Sequence, residues 1–400
     1  MLKKVLISGA SVAGPALACW LGRYGFEPTV VEIAPALRGG GRAVDFRGEA
    51  HLTVLERMGV LAELRDIQTG GSPMTFVDER GRTLLHLPAH FAGGDVEVLR
   101  SDLARVLYER SADVADYVFG DSAAELTETP GGVEVTFASG AQRCFDLVIG
   151  ADGVHSGVRR LAFGPEERFV SHLGYYVATW DLPNYLGLPP GSLNYNAPGR
   201  LVSVGCDFRD SERANAFVVF KAPRLDYDRH DLDQQRRLIT DAFGDLGWEA
   251  PRLLASLGST EELYFDSISR VDVDPWSRGR ISLVGDAAGG ATIGGMGTGT
   301  AIVAAYVLAG ELAAADGDHR AAFARYESLV RDYATGCQVG GDRTGKFLAP
   351  GRFGRWARNL LLGNEFLLNQ MLKAGQDVSS GIDLPCYDLP HHGAGATRSS

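Results

Sequence analysis

Charged residues are sparse in this chain of 400 residues, and the two signs do not balance. Only 22% are charged, and 39 bases against 50 acids leave a net charge of −11 with His neutral. A surface that acidic repels phosphate backbones, which argues against a nucleic-acid partner. Cysteine is scarce: Cys19, Cys144, Cys206, Cys337 and Cys386 are scattered, odd in number and never in a Cys-x-x-Cys pair. That pattern suggests neither a disulfide framework nor a metal site. The nine histidines add no metal spacing. His391-His392 falls in the terminal tail, and His51, beginning a helix, reads like the others as a surface histidine. Long hydrophobic runs are missing as well. Only Val5-Leu6-Ile7 stand between Lys4 and Ser8, too few for a signal-peptide core. The longest apolar helical pattern, Ala301 to Ala315, carries Glu311 and is too short to span a bilayer. There is no Gly-x-Ser-x-Gly nucleophile elbow and no internal repeat. A reduced, cytoplasmic protein without a membrane span, monomeric or homodimeric, is expected.

Glycine, in contrast, is abundant: 51 residues of 400, against an average of about 7%. No Gly-X-Y period accounts for the excess, which points to tight turns and close approaches of backbone to ligand. The most informative stretch comes first. Val5-Leu6-Ile7 is a continuous apolar run of the kind that forms a parallel strand buried on both faces. It leads into Gly9-Ala10-Ser11-Val12-Ala13-Gly14, after which Ala16, Leu17, Trp20 and Leu21 recur at helical spacing. Pro28 to Glu32 then reads as a second strand ending in a carboxylate. Strand, glycine turn, helix, strand and acid make half of a dinucleotide-binding βαβ unit. Gly9 suits the tight turn, Gly14 the close packing of helix on strand, and Ser11 is small enough for a pyrophosphate to approach. Glu32, 23 residues after Gly9, is spaced for a bond to a ribose hydroxyl. No other glycine cluster repeats the pattern, so a second dinucleotide would bind only transiently.

Further along, 75–78 and 83–86 flank a turn and predict a hairpin. Ser101 to Arg110 predicts a helix capped by Ser101. A second hairpin, 133–140, leads to the buried strand 145–149, which ends at Gly150-Ala151-Asp152-Gly153. Residues 171–271 alternate aromatic-rich runs with turns, predicting a mostly antiparallel sheet with helices near 231–243 and 251–257. The strand 280–284 ends at Gly285-Asp286, and helices follow from Thr298 onward, at 321–333 and at 353–373. The tail 391–400 is expected to be disordered.

With Asp146-Leu-Val-Ile-Gly-Ala-Asp152-Gly153-Val-His-Ser156-x-x-Arg159 and Gly285-Asp286-Ala287-Ala288 added to the N-terminal fingerprint, a family resemblance emerges. Over residues 1–340 the chain resembles the single-component, FAD-dependent aromatic hydroxylases, the group A flavoprotein monooxygenases of the para-hydroxybenzoate hydroxylase type. Gly-Ala-Ser-Val-Ala-Gly-Pro at 9–15 and the Tyr306 to Glu311 helix are closest to the branch with tetracycline-inactivating monooxygenases. The resemblance implies an α/β fold: a Rossmann-like FAD-binding domain (1–72, 97–170 and 272–340), a mixed-sheet substrate domain (73–96 and 171–271), and a C-terminal helical segment (341–390). It implies tightly bound FAD, NADPH or NADH as transient reductant, and O2 as co-substrate. One oxygen atom would pass, by way of a flavin C4a-hydroperoxide, to a hydrophobic, aromatic or polycyclic small molecule, in secondary metabolism or antibiotic inactivation.

On the same resemblance, Gly9, Ser11, Val12, Ala13, Gly14, Glu32, Arg42, Arg100, Asp152, Asp286, Gly297 and Thr298 would bind FAD. Arg47 and Met296 would stand next to the reacting ring, and Trp180, Phe208 and Phe220 would line the substrate pocket. The stretch Gly289 to Gly299 departs from the family: its proline is missing, Met296 takes a glutamine's place, and its extra glycines suggest mobility. That departure leaves two alternatives open, a reductase or dehydrogenase without oxygen insertion and a non-catalytic FAD scaffold that binds a ligand.

Overall fold

The computed structural model describes residues 3–37, 39, 43–206, 210–260, 262–294, 296–364, 366–368, 370 and 381–387. Arg42, Phe208 and the tail 391–400 lie outside the described residues.

The N-terminal βαβ pattern forms as the spacing predicts: strand Lys4–Ser8, helix Ala13–Arg23, strand Glu27–Glu32. The first strand sits inside a six-stranded sheet of order 277–278, 281–283, 147–150, 4–8, 27–32, 116–119. Ile7 pairs in parallel with Ile149 on one side and Val30 on the other. The sequence-distant strand Ile281–Leu283 joins next to Leu147–Gly150. Because both faces are covered, the unbroken apolar runs 5–7 and 147–149 are wholly buried.

The second large unit is an eight-stranded sheet running 289–291, 263–272, 170–183, 213–221, 200–206, 191–197, 74–77, 83–87. It is antiparallel except where Gly191–Ala197 pairs in parallel with Met74–Val77. Alternation along Val170–Pro183 divides its two faces. Tyr176, Ala178, Trp180 and Leu182 pack under the helices Leu232–Phe243 and Ala250–Leu257. Tyr175 and Val177 point the other way, with Phe217, Val219 and Ile268.

Several sequence expectations shift. Ser101 does not cap its helix, which starts one residue earlier as Arg100–Ser111 with Leu99 at the N-cap. The pattern at 321–333 is the first half of a single 30-residue helix, His319–Leu348, and the pattern from 353 stops at Leu362. The apolar helix starts earlier than Ala301. As Gly297–Ala314 it is long and apolar enough to cross a membrane, yet 78% of it is buried inside the fold. It packs between the fingerprint helix and the long helix, so its apolar surface faces protein all round.

A charged tie joins the turn after the first sheet to the large sheet. His155 Nδ1 lies 3.1 Å from Glu166 Oε2, and Nε2 lies 2.9 Å from Asp266 Oδ2 on the strand Leu263–Asp272. Burial opposes the imidazolium, but the hydrogen bonds it donates to Asp266 and Glu166 outweigh it and raise the pKa to about 9. With the folded value above the ordinary one, this stabilisation is complete below about pH 6.5 and lost as pH rises through 9. His155→Gln is expected to cost about 2 kcal/mol at pH 6 and to flatten the melting temperature between pH 6.5 and 9. Thermal melts of equal midpoint for variant and wild type across that range would contradict the tie.

Candidate cofactor and active site

The fingerprint turn is built by contact as well as conformation. Gly9 adopts φ +109°, and a Cβ there would fall 2.5 Å from the Ala151 carbonyl oxygen; a Cβ on Gly14 would fall 1.9 Å from that of Gly9. Glycine at both positions lets the first turn, the fingerprint helix and the end of the Leu147–Gly150 strand converge. Val12, at the N-cap of that helix, has no side-chain oxygen to offer. The backbone N–H groups of the first turn are thus available to an anion. Ser11 lies beside them, its Oγ accepting from Arg100 Nη2 at 2.9 Å. Glu32, at the end of its strand, accepts from the N–H of Ala10 at 2.8 Å and of Ala34 at 3.0 Å.

Asp286 closes the other side. It follows the strand Ile281–Leu283 in a tight turn, Gly285–Ala287. Its Oδ1 lies against the backbone of Gly290 and Gly297, where added Cβ atoms would be 2.2 and 3.2 Å away. Two glycines of this loop, Gly290 and Gly297, thus leave room for the carboxylate, and residues 289–291 form a strand against Arg270–Asp272. Among the described residues, no hydrogen-bond donor reaches the Asp286 carboxylate. Burial raises its pKa to about 6, with the Arg100 charge opposing. A glycine cradle, an uncapped helix end beside an arginine, and a half-buried carboxylate lacking a donor fit a ligand that carries both phosphates and hydroxyls.

Met296 sits in a left-handed conformation, φ +57°, at the N-cap of Gly297–Ala314, so Gly297 and Thr298 open that helix. Arg47 is the N-cap of the helix Gly48–Met58, with its guanidinium on Asp45. The Asp152 carboxylate is committed within the protein. It accepts from Ser8 at 3.3 Å, from the Val158 N–H at 3.0 Å and from Ser156, so it organises the helix Gly157–Ala162.

Two of the substrate candidates, Trp180 and Phe220, lie away from any open surface. Trp180, 2% exposed, donates its indole N–H to Ser256 Oγ at 3.0 Å, and Phe220, 5% exposed, stacks on Tyr176. Both lie on the sheet face under the two helices, in closed core. Sequence reading also missed Tyr264. It pairs with Thr179 on the opposite face, is 45% exposed and lies within electrostatic reach of Arg100 and Asp286. An aromatic at an outward position of an otherwise buried strand was the available signal. His51 was misjudged too: it is fully buried, not a surface histidine.

Residues 3–335 match the family model described as FAD binding domain. The chain belongs to that FAD-binding family. A flavin-dependent monooxygenase from Legionella longbeachae is 35% identical over 398 residues, covering 96% of this chain and 98% of the relative. A flavin-dependent monooxygenase from an unknown prokaryotic organism is 37% identical, covering 95% and 96%. Among solved structures, tetracycline destructase Tet(51) superposes with a TM-score of 0.86 at 32% identity, covering 97% of this chain and all of that one. The protein is thus an FAD-dependent monooxygenase of the group A type, with the tetracycline-destructase fold. Glu32→Ala in this flavoenzyme is expected to weaken FAD by about 1–3 kcal/mol, the loss of one charged acceptor. A fluorescence titration giving an unchanged Kd would remove Glu32 from the site.

Proposed function

We propose that the enzyme inserts one atom of O2 into a hydrophobic aromatic or polycyclic small molecule, drawing electrons from NADPH or NADH. The observation that carries the flavin's place is the Asp286 carboxylate, half-buried and with no donor among the described residues. When bound, FAD supplies the two-electron and oxygen chemistry; the chain's own groups bind, orient and exclude water. The first-turn N–H groups at Val12 to Gly14 hold the phosphates, with Ser11 and Arg100 beside them, while Glu32 takes the ribose and Asp286 the ribityl hydroxyls. Gly297 and Thr298 present the start of a helix to the ring, and Arg47 and Met296 flank it. Three sequence segments (1–72, 97–170 and 272–340) make the FAD-binding domain; 73–96 and 171–271 make the sheet that covers it.

The substrate side is the sheet face bearing Thr179, Phe217 and Tyr264. On it the rings of Phe217 and Tyr264 stand beside polar Thr179, Ser203 and Asp266; rings interleaved with polar groups suit a polycyclic molecule that carries polar substituents, and the likeness to tetracycline destructases supports the same class. The five free cysteines accord with a reducing cytoplasm. Incubating the FAD-loaded enzyme with NADPH, 18O2 and a panel of tetracyclines and polycyclic phenols tests the reaction by mass spectrometry. One labelled oxygen in a product, matched to NADPH consumed, is expected. Electrons passing wholly to hydrogen peroxide with every probe would contradict it.

A further inference from the structure

His51 is a buried titratable group that the proposed chemistry leaves unused, and its contacts join the two segments assigned to the flavin ring. It lies in the helix Gly48–Met58, and its Nδ1 accepts from the Arg47 backbone N–H at 3.1 Å. Its Nε2 lies 2.6 Å from the hydroxyl of Tyr333, on the long helix His319–Leu348. A neutral imidazole carries one proton. Since Nδ1 accepts, Nε2 holds that proton and donates it to Tyr333. Burial and the Arg47 charge push the His51 pKa down to about 4, so the ring stays in this form at neutral pH. Tyr333 then has its own proton to give, and Cys337 and Thr300 are both hydrogen-bond partners of its hydroxyl. Thr300 Oγ1 donates in turn to the Met296 carbonyl at 3.1 Å.

The result is a network, branched at Cys337, that runs from the backbone N–H of Arg47, through His51, Tyr333 and Thr300, to the backbone carbonyl of Met296. The ring also presses on Gly299, where a Cβ would fall 2.2 Å from His51 Cε1, so only glycine admits it. We propose that His51 is a positioning residue which, with Tyr333 and Thr300, fixes the backbone of Arg47 relative to that of Met296. The inference rests on the assignment of those two segments to the flavin ring.

Tyr333→Phe removes one oxygen, from a residue in neither segment. In the flavin-free protein it is expected to raise amide hydrogen exchange at least threefold in both 44–49 and 296–303, leaving 4–8 and 213–221 unchanged. In the FAD titration its Kd is expected to rise about threefold to tenfold, the effect of one hydrogen bond. Thr300→Val, of equal shape, should reproduce the effect at 296–303 even if the tyrosine variant folds poorly. His51→Asn, which keeps an acceptor near the Nδ1 position, should protect 44–49 better than His51→Leu. Faster exchange confined to the long helix, or equal exchange in the Asn and Leu variants, would overturn the proposal. Should the wild-type chain take up no flavin, the functional assignment fails, while the exchange measurement still decides whether the network links the two segments.

Discussion

Asp286→Ala is expected to yield a protein that purifies without colour and binds added FAD at least a hundredfold more weakly than wild type. The carboxylate has no donor among the described residues, so the flavin hydroxyls would satisfy it, and no neighbouring side chain can replace it at that point. Its pKa of about 6 gives the effect a pH signature. Hydroxyl donors favour the ionised acceptor, so flavin affinity should be level above about pH 7. It should then fall by up to tenfold per unit as pH drops through 6. The sign for stability is opposite. A carboxyl whose folded pKa exceeds the ordinary value near 3.8 favours the folded state at low pH and disfavours it as pH rises through 6. Asp286→Asn should therefore stabilise the flavin-free protein at pH 7, by up to about 3 kcal/mol, while weakening FAD. Melting curves and titrations on that one variant check both signs. A flavin-free Asp286→Asn that melts below wild type would show that the carboxylate is satisfied from within.

Gly14→Ala carries the second large effect. The added methyl would sit 1.9 Å from the Gly9 carbonyl oxygen, a backbone atom, with Ile7 Cγ2 at 3.4 Å. Neither can step aside without moving the first strand or the fingerprint helix. Overpacking of this kind costs about 1–3 kcal/mol, and more where backbone must move. The turn that meets the phosphates would be displaced with it. Soluble protein with little bound flavin, or no soluble protein, is the expected outcome. Gly39→Ala is the control, since nothing lies within 4 Å of its Cβ. Absorbance at the flavin band relative to protein reports both. A Gly14→Ala protein with full flavin content would mean that the turn tolerates a side chain.

What the sequence disclosed follows from what is local. Val5 to Ile7, the glycines at 9 and 14, and Glu32 state their roles within about thirty residues, because strand, turn and helix each depend on near neighbours. Asp286 was legible for the same reason, as the residue at the end of a buried strand. Trp180 and Phe220 misled because aromatic character does not say which sheet face a residue occupies. Helices at 232–243 and 250–257 decide that, by covering one face and leaving the other to Tyr264. His51 was hidden because its partners, Tyr333 and the Gly299 backbone, lie more than 240 positions away. Asp152 sits where the motif places it, but its carboxylate is bound to Ser8, Ser156 and Val158, a distinction that only side-chain geometry reveals. The long helix was seen as a shorter pattern because its later turns carry glycines, which tertiary packing overrides.

The most direct test is the visible spectrum of the purified protein, followed by anaerobic addition of NADPH and then admission of air. A yellow protein is expected, whose flavin band bleaches with NADPH, alone or once a polycyclic substrate is present, and returns with oxygen. A colourless protein that FAD cannot reconstitute would contradict it.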